Sequence, residues 1–236
     1  MHGLLKRRLL RGLALFVGLI STAALAQDPP KAPADLIPTD ASPEVVQVVE
    51  GVEATYKDVL ALQAQFEQTV TAAGQTRVDE GTVLLSRPRK MRWDFTGPNG
   101  SLFVTDGSYM WVYTPSLKQA IKYADLGQAA SSVAPIELSD LGSLRDKFTV
   151  VLAPENGRKS NFVLILTPRE TGKYPFKSVK LELTSKYVLQ SISVTDILDN
   201  LTVLNFSKVK FNPDVPDDIF SFSPPADVEV IEAGAL

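Results

Sequence analysis

The first clear pattern in the chain is a stripe of apolar residues at spacings of four, three, four and three. Its members are Val45, Val49, Val52, Tyr56 and Val59. This spacing places them on one face of an α-helix. The stripe follows Ser42-Pro43-Glu44, which combines an N-cap residue, a proline at the first helical position and an acid in the first turn. The pattern predicts an amphipathic helix that begins at Pro43.

From Leu62 onward the period changes to two, which is typical of strands with one buried face. Leu62, Ala64 and Phe66 alternate with glutamines, and similar runs surround Trp93 and Leu181. Asp106-Gly107 separates two such runs and indicates a hairpin turn. We predict roughly ten strands joined by short turns in an antiparallel meander, with no parallel crossover.

Two segments lack strand alternation. Residues 125–143 are rich in Ala, Ser, Leu and Gly, which predicts one or two short helices inserted between strands. Residues 28–43 contain five prolines and indicate an extended tether. The pattern alone leaves open whether the sheet closes into a barrel, stacks as a sandwich or is covered by the helices.

The N-terminus has the features of a secretory signal peptide. Four basic residues precede an uncharged apolar run that ends in Ala24-Leu25-Ala26. We predict cleavage after Ala26, and Gln27 at the next position excludes a lipid-modified cysteine there. The predicted organisation is a signal peptide at 1–26, a Pro-rich tether at 27–43 and a single domain at 44–236.

The composition excludes several kinds of catalytic and metal site and argues against one class of partner. His2 is the only histidine and there is no cysteine, so the mature chain would have neither residue type. This excludes Ser-His-Asp and Cys-His catalysis, His/Cys zinc sites and disulfides. Removing four of the 24 basic residues and none of the 27 acidic ones leaves a net charge of −7, which argues against a nucleic-acid partner.

Acidic pairs are the remaining catalytic candidates. Asp217-Asp218, Asp196 and Asp199 could supply opposed carboxylates for glycoside chemistry. With 27 acids in the chain, chance proximity is expected. We therefore predict no catalytic residue, no metal and no cofactor, and interpret the protein as a non-enzyme.

Arg87 stands at a strand end, immediately before Pro88. Its guanidinium could bond to several carbonyls of a neighbouring segment, or it could simply lie in a solvated basic turn. Met91 and Trp93 share a strand face with Phe95, where they could be ordinary core or could contact a ligand.

Four segments, in this order, resemble the family of outer-membrane lipoprotein carriers, LolA. They are Phe66-Glu67-Gln68; Arg87-Pro88 with Met91-Arg92-Trp93; Val104-Thr105-Asp106-Gly107 leading to Trp111-Val112-Tyr113-Thr114-Pro115; and Phe220-Ser221-Phe222-Ser223-Pro224-Pro225, which matches the family's closing strand. Together they span about Tyr56 to Val230, nearly the whole predicted domain.

The resemblance implies a mainly β fold: an incomplete, unclosed antiparallel β-barrel covered by a lid of the N-terminal helix and a short helical insertion. It also implies a monomeric periplasmic carrier that binds the acyl chains of lipoproteins in an apolar cavity. The partners would be acylated lipoproteins as cargo, an inner-membrane ABC transporter as donor and an outer-membrane acceptor lipoprotein.

Residue by residue, the resemblance places the family's lid latch on Arg87. The acyl-chain cavity would include Met91, Trp93, Phe95, Phe66 and Trp111, with Met91 standing where an aromatic residue is common. Rival interpretations are a related lidded barrel that binds another lipid or glycolipid or senses the state of the envelope, an outer-membrane acceptor, and a Ser/Lys or carboxylate hydrolase. The absence of a cysteine after Ala26 argues against the acceptor.

Overall fold

The computed structural model describes residues 42–97, 100–124, 140–153, 162–170, 172 and 174–233. The predicted signal peptide, nearly all of the predicted tether and most of the 125–143 insertion lie outside these residues. Within the described ranges, no helix has the length and apolar character needed to cross a membrane.

The predicted N-terminal helix is present as α1, Pro43–Tyr56. Ser42 is its N-cap, and the Ser42 hydroxyl oxygen accepts a hydrogen bond from the Val45 N–H at 3.2 Å. The predicted stripe is buried throughout, and Val48 is buried with it. The helical spacing therefore identified both the element and the face that packs.

The other described residues contribute one sheet of twelve strands, slightly more than the sequence predicted. The strands are β1 Ala61–Ala72, β2 Gln75–Ser86, β3 Lys90–Thr96, β4 Leu102–Thr105, β5 Met110–Thr114, β6 Gln119–Tyr123, β7 Phe148–Leu152, β8 Phe162–Pro168, β9 Phe176–Leu183, β10 Leu189–Asp196, β11 Leu201–Phe211 and β12 Glu229–Ala233. A short helix, α2 Leu144–Lys147, and a 3-10 turn at Asp140–Gly142 precede β7.

The strand order is β12-β6-β5-β4-β3-β2-β1-β11-β10-β9-β8-β7. Strands β7 and β12 are the two edges, so the sheet is unclosed and the predicted fold class is confirmed. Two details of the prediction are wrong: β12 pairs with β6 in parallel, and the sheet is not a simple meander, because β1 pairs with β11 whereas β6 and β7 do not pair. Strands β6 and β12 are separated in the chain by β7 to β11, so no short hairpin forces them to be antiparallel.

Directly paired residues point to the same side of a sheet, so the strand register divides the side chains into two faces. Phe66 pairs with Gly81, which pairs with Phe95. This face also carries Phe211, whose ring meets that of Tyr56 on α1 at 5.4 Å. We call it the helix-side face and its opposite the reverse face.

The C-terminal segment, residues 217–228, covers the reverse face of β3 to β6. Phe220 in this segment is buried, and the Arg92 guanidinium donates to the Ile219 carbonyl oxygen at 3.0 Å. The closing strand expected at 220–225 is wrong: the strand lies at 229–233. Pro224 and Pro225 have no N–H for a strand ladder, which explains why pairing begins only after them.

Candidate functional site

Aromatic rings form a connected cluster on the helix-side face. The Phe66 ring lies 5.0 Å from the rings of Trp93 and of Phe95, and Phe95 lies 5.1 Å from Phe103, all in edge-to-face contacts. Gly81 lies between Phe66 and Phe95 in the register. A Cβ at Gly81 would overlap the Asp94 carbonyl oxygen and approach the Phe66 ring at 2.9 Å, so glycine provides the space this cluster needs.

Met91 extends the same face toward the end of the strand. Its side chain is buried, and it pairs with Leu85 on β2 and Thr105 on β4. Four of the five residues predicted to line a cavity, Phe66, Met91, Trp93 and Phe95, therefore lie together.

Trp111 is the fifth, and it lies on the reverse face. Its ring packs against Phe222 of the C-terminal segment at 5.6 Å, with the Lys122 ammonium 5.7 Å from the ring centroid. Its neighbours Met110 and Val112 occupy the helix-side face and are fully buried. The alternation of side chains along β5 places Trp111 on the face opposite to Met110 and Val112. Only the register from β3 through β4 to β5 shows that Met110 and Val112, and not Trp111, lie on the same face as Trp93.

The guanidinium of Arg87 lies at the C-terminal end of α1. Arg87 donates to the Lys57 carbonyl oxygen at 3.0 Å from Nη1 and to the Tyr56 carbonyl oxygen at 3.2 Å from Nη2. A cation at a helix C-terminus satisfies carbonyls that have no partner within the helix. Nη2 also lies 3.5 Å from where a Cβ on Gly142 would stand. Arg87 therefore binds the end of α1 and lies close to the 3-10 turn at Asp140–Gly142.

A second arginine connects α2 to α1. Arg145 of α2 lies 2.9 Å from the Glu53 carboxylate and 3.8 Å from the Glu50 carboxylate, both on α1. Its hydrogen bond to Glu53 raises the pKa of Arg145 above its usual value. The pair is partly exposed to solvent, so it contributes little stability alone but fixes how α2 meets α1. No pattern in the sequence predicts this contact.

Tyr56, the last residue of α1, anchors the helix to the sheet. Its side chain is fully buried, and its hydroxyl oxygen accepts a hydrogen bond from the Leu189 N–H at 2.9 Å. Burial raises the pKa of Tyr56 to about 12, because the charged form would lose its hydration.

Three of the four acidic residues considered for catalysis, Asp196, Asp199 and Asp217, have structural partners. Asp196 accepts hydrogen bonds from the backbone of Leu198 and Asn200, while Asp199 pairs with Lys177 at 2.6 Å. Asp217 pairs with Lys90 at 2.8 Å. The described part of the chain holds no group of three acidic, His or Cys residues that could bind a metal.

The arrangement is an apolar wall with α1 beside it, and such a wall can bury an apolar ligand. An apolar ligand against such a wall gains about 0.8 kcal/mol for each methylene removed from water. Arg87 and Tyr56 hold α1 to the sheet, and Arg145 holds α2 to α1, through contacts that are individually modest.

Comparisons with known proteins agree with this description. A relative from Dechloromonas aromatica, named outer-membrane lipoprotein carrier protein, is 29% identical over 177 residues, covering 74% of this chain and 83% of the relative. One from Methylococcus capsulatus with the same name is 31% identical over 174 residues, covering 72% and 81%. A crystal structure of a LolA superfamily protein from Nitrosomonas europaea aligns with a TM-score of 0.42 and 16% identity, covering 75% of this chain and 97% of that one.

The family model described as outer membrane lipoprotein carrier protein LolA matches residues 57–223, which run from the end of α1 to the C-terminal segment. That range contains the aromatic cluster, Arg87 and eleven of the twelve strands. The chain belongs to the LolA family.

Proposed function

We propose that this protein is a lipoprotein carrier that holds the acyl chains of its cargo against the helix-side face of the sheet. One observation carries the proposal: within the described residues, α1 packs against the apolar helix-side face of an unclosed sheet and is held to it by a few polar contacts. Helices joined to a sheet by a few polar contacts can separate from it, whereas a second sheet would make a permanent core.

The composition of the helix-side face supports an acyl ligand. Between β1 and β5 it presents aromatic rings together with Met91, a flexible apolar side chain that adapts to ligands of variable shape. Further along the sheet it continues through Leu181 and Ile192, which pair directly. Burial of several acyl chains against this surface needs no covalent step.

In this proposal Arg87 is the lid latch and α1 is part of the lid. The bonds from Arg87 to the carbonyls of Tyr56 and Lys57 favour the closed state, and cargo binding competes with them. Phe66, Met91, Trp93 and Phe95 form the acyl-binding wall, and Trp111 belongs to the reverse face instead. A closed–open difference of a few kcal/mol would allow both loading and release.

The proposal places the protein in the periplasm, with the signal peptide removed after Ala26. The carrier would receive lipoproteins from an inner-membrane ABC transporter and deliver them to the outer membrane, with an acceptor lipoprotein as the final partner. The Pro-rich segment at 27–43 would connect the cleavage site to the domain.

The direct experiment is to purify the protein from its native periplasm and identify bound lipid by mass spectrometry. Acylated lipoprotein should co-purify in roughly equal molar amount. Recovery of phospholipid, glycolipid or polyprenyl lipid alone would contradict the carrier function and would favour a related lipid-binding role.

A matched pair of variants tests the site. Phe95→Lys places a charge on the helix-side face, while Thr96→Lys places the same charge on the next, exposed residue. We expect Phe95→Lys to abolish release of lipoprotein from spheroplasts and Thr96→Lys to retain it. Equal release by the two variants, with circular dichroism showing both folded, would refute the assignment of the face.

A further inference from the structure

The indole N–H of Trp93 is a buried donor that has no hydrogen-bond acceptor in the described part of the chain. The Trp93 side chain is 3% exposed, so water does not reach it from the surface. Buried donors are nearly always paired in folded proteins, because an unpaired one has given up its hydrogen bond to water without replacement. An orphaned donor on a binding wall therefore indicates a group supplied by the ligand.

The surroundings of Trp93 on the helix-side face are carbon. Its directly paired neighbours are Val83 and Phe103, and the Phe66 ring lies 5.0 Å from its own. Thr105 lies on the same face, two residues after Phe103 on β4. Its hydroxyl oxygen accepts a hydrogen bond from the Gly107 N–H at 3.0 Å. Among the described residues around Trp93, the indole nitrogen is the polar atom without a partner that an apolar chain placed here would meet.

We propose that the Trp93 Nε1–H donates a hydrogen bond to the carbonyl oxygen of an ester or amide that joins a bound acyl chain to its headgroup. This inference rests on the proposed function. It adds that the site distinguishes acyl from alkyl chains and that Trp93 fixes how deeply the chain enters. A neutral carbonyl fits this position better than a carboxylate, because burying an ionised group with no cation beside it is far more costly.

Two lipids that differ only in this carbonyl provide the test. Glycerol monolaurate is an ester, and monododecyl glycerol is its ether analogue with the same chain and headgroup. We expect wild-type protein to bind the ester about fivefold more tightly, the equivalent of one ordinary hydrogen bond. Trp93→Phe removes the N–H and should bind both lipids equally. Equal affinities in the wild type, or a preserved preference in Trp93→Phe, would overturn the proposal.

Nuclear magnetic resonance of the two indole N–H groups gives a second reading that needs no substitution at Trp93. The Trp93 resonance should move downfield with the ester and not with the ether. Trp111, on the reverse face, should stay in place with both, and Trp111→Phe assigns the two signals. Identical shifts of Trp93 with the two lipids would refute the hydrogen bond even if Trp93→Phe fails to fold.

The lipid-binding experiment distinguishes failure of the hydrogen bond from failure of the proposed acyl-binding function. If both lipids bind the wild type equally well, the hydrogen bond is wrong and the apolar wall stands. If neither lipid binds, the acyl-binding function falls together with the inference drawn from it.

Discussion

At the residue scale, Arg87 shows how one side chain can link a sheet to a helix. Its planar fork reaches two consecutive carbonyls, those of Tyr56 and Lys57, which a single ammonium could not satisfy with the same geometry. Its own N–H donates to the Leu60 carbonyl oxygen at 2.8 Å, so backbone and side chain both bind the end of α1 and the connection to β1.

Replacing Arg87 by leucine should trap cargo on the carrier. Loss of the bonds to α1 weakens the closed, empty state by about 1–3 kcal/mol, which shifts the lid equilibrium about 5- to 150-fold toward the open state that holds cargo. The variant should load lipoprotein from spheroplasts but release it poorly to outer membranes, measured as cargo retained on the purified carrier.

The matched control is Arg89→Asn, which removes the same charge from an exposed residue of the same turn. Asparagine tolerates the positive φ of 57° at this position. This variant should transfer cargo normally. Normal transfer by Arg87→Leu would refute the latch.

Tyr56→Phe should lower stability, since it leaves the buried Leu189 N–H without its acceptor. The expected loss is about 1–3 kcal/mol in the free energy of unfolding, measured by urea denaturation at pH 8. Tyr109→Phe, which alters an exposed ring, is the control and should change little. An unchanged midpoint for Tyr56→Phe would show that this bond contributes nothing.

The same residue gives the protein a specific response to alkaline pH. Its pKa is about 12 in the folded chain against an ordinary value of 10.0. The unfolded chain therefore loses this proton first, so the contribution is complete below pH 10 and is lost as pH rises from 10 to 12. Tyr56→Phe should flatten the decline in stability over that window by roughly 1–3 kcal/mol, and an unaltered decline would contradict this origin.

At the scale of elements, α1 combines a thoroughly buried stripe with ends held by few polar groups. Its first turn depends on the Ser42 cap, and its last turn on Arg87 and Tyr56. Such a helix is ordered by packing but can separate from the sheet as a unit, because few hydrogen bonds connect the two.

Removing the cap should loosen the helix without altering the wall. Ser42→Ala is expected to cost about 1 kcal/mol, while Ser42→Asp, another good N-cap, should retain most of it. Hydrogen exchange of the α1 amides measures the effect, and protection should fall there while remaining unchanged in β1. Uniform loss across the sheet would mean that α1 and the sheet open together.

At the scale of the whole sheet, the two faces have different partners and different expected roles. The helix-side face carries the aromatic cluster and packs against α1 through Phe211 and Tyr56, and the reverse face of β3 to β6 is sealed by residues 217–228. Phe222 fills this seal, with its ring 5.6 Å from Trp111 and 5.3 Å from Tyr113.

Phe222→Ala should therefore reduce stability and leave lipid affinity intact. We expect a loss of about 1–3 kcal/mol in the free energy of unfolding, because the side chain is only half-buried. Titration with glycerol monolaurate at a temperature where the variant is folded should give the wild-type affinity. A matching loss of affinity would mean that the two faces are coupled.

Sequence periodicity determined the elements because local spacing is a property of each segment alone. The stripe from Val45 to Val59 placed α1, and the alternation at Leu62–Phe66 placed β1 with its buried side chains on the correct positions. The hairpin at Asp106-Gly107 was likewise predicted, and Gly107 adopts the φ of 99° that favours glycine. Periodicity alone left open a barrel, a sandwich or a sheet covered by helices. The family resemblance then predicted the unclosed sheet.

Pairing decided what periodicity could not, since it joins residues far apart in the chain. The assignment of Trp111 to the reverse face, the parallel position of β12 and the orphaned indole of Trp93 all depend on register. The partners of Arg87 lie about thirty residues away, on carbonyls that any sequence would carry. The sequence by itself determined an amphipathic helix, alternating strands and an arginine at a strand end. Only the tertiary structure decided which residues share a wall and which backbone atoms the arginine binds.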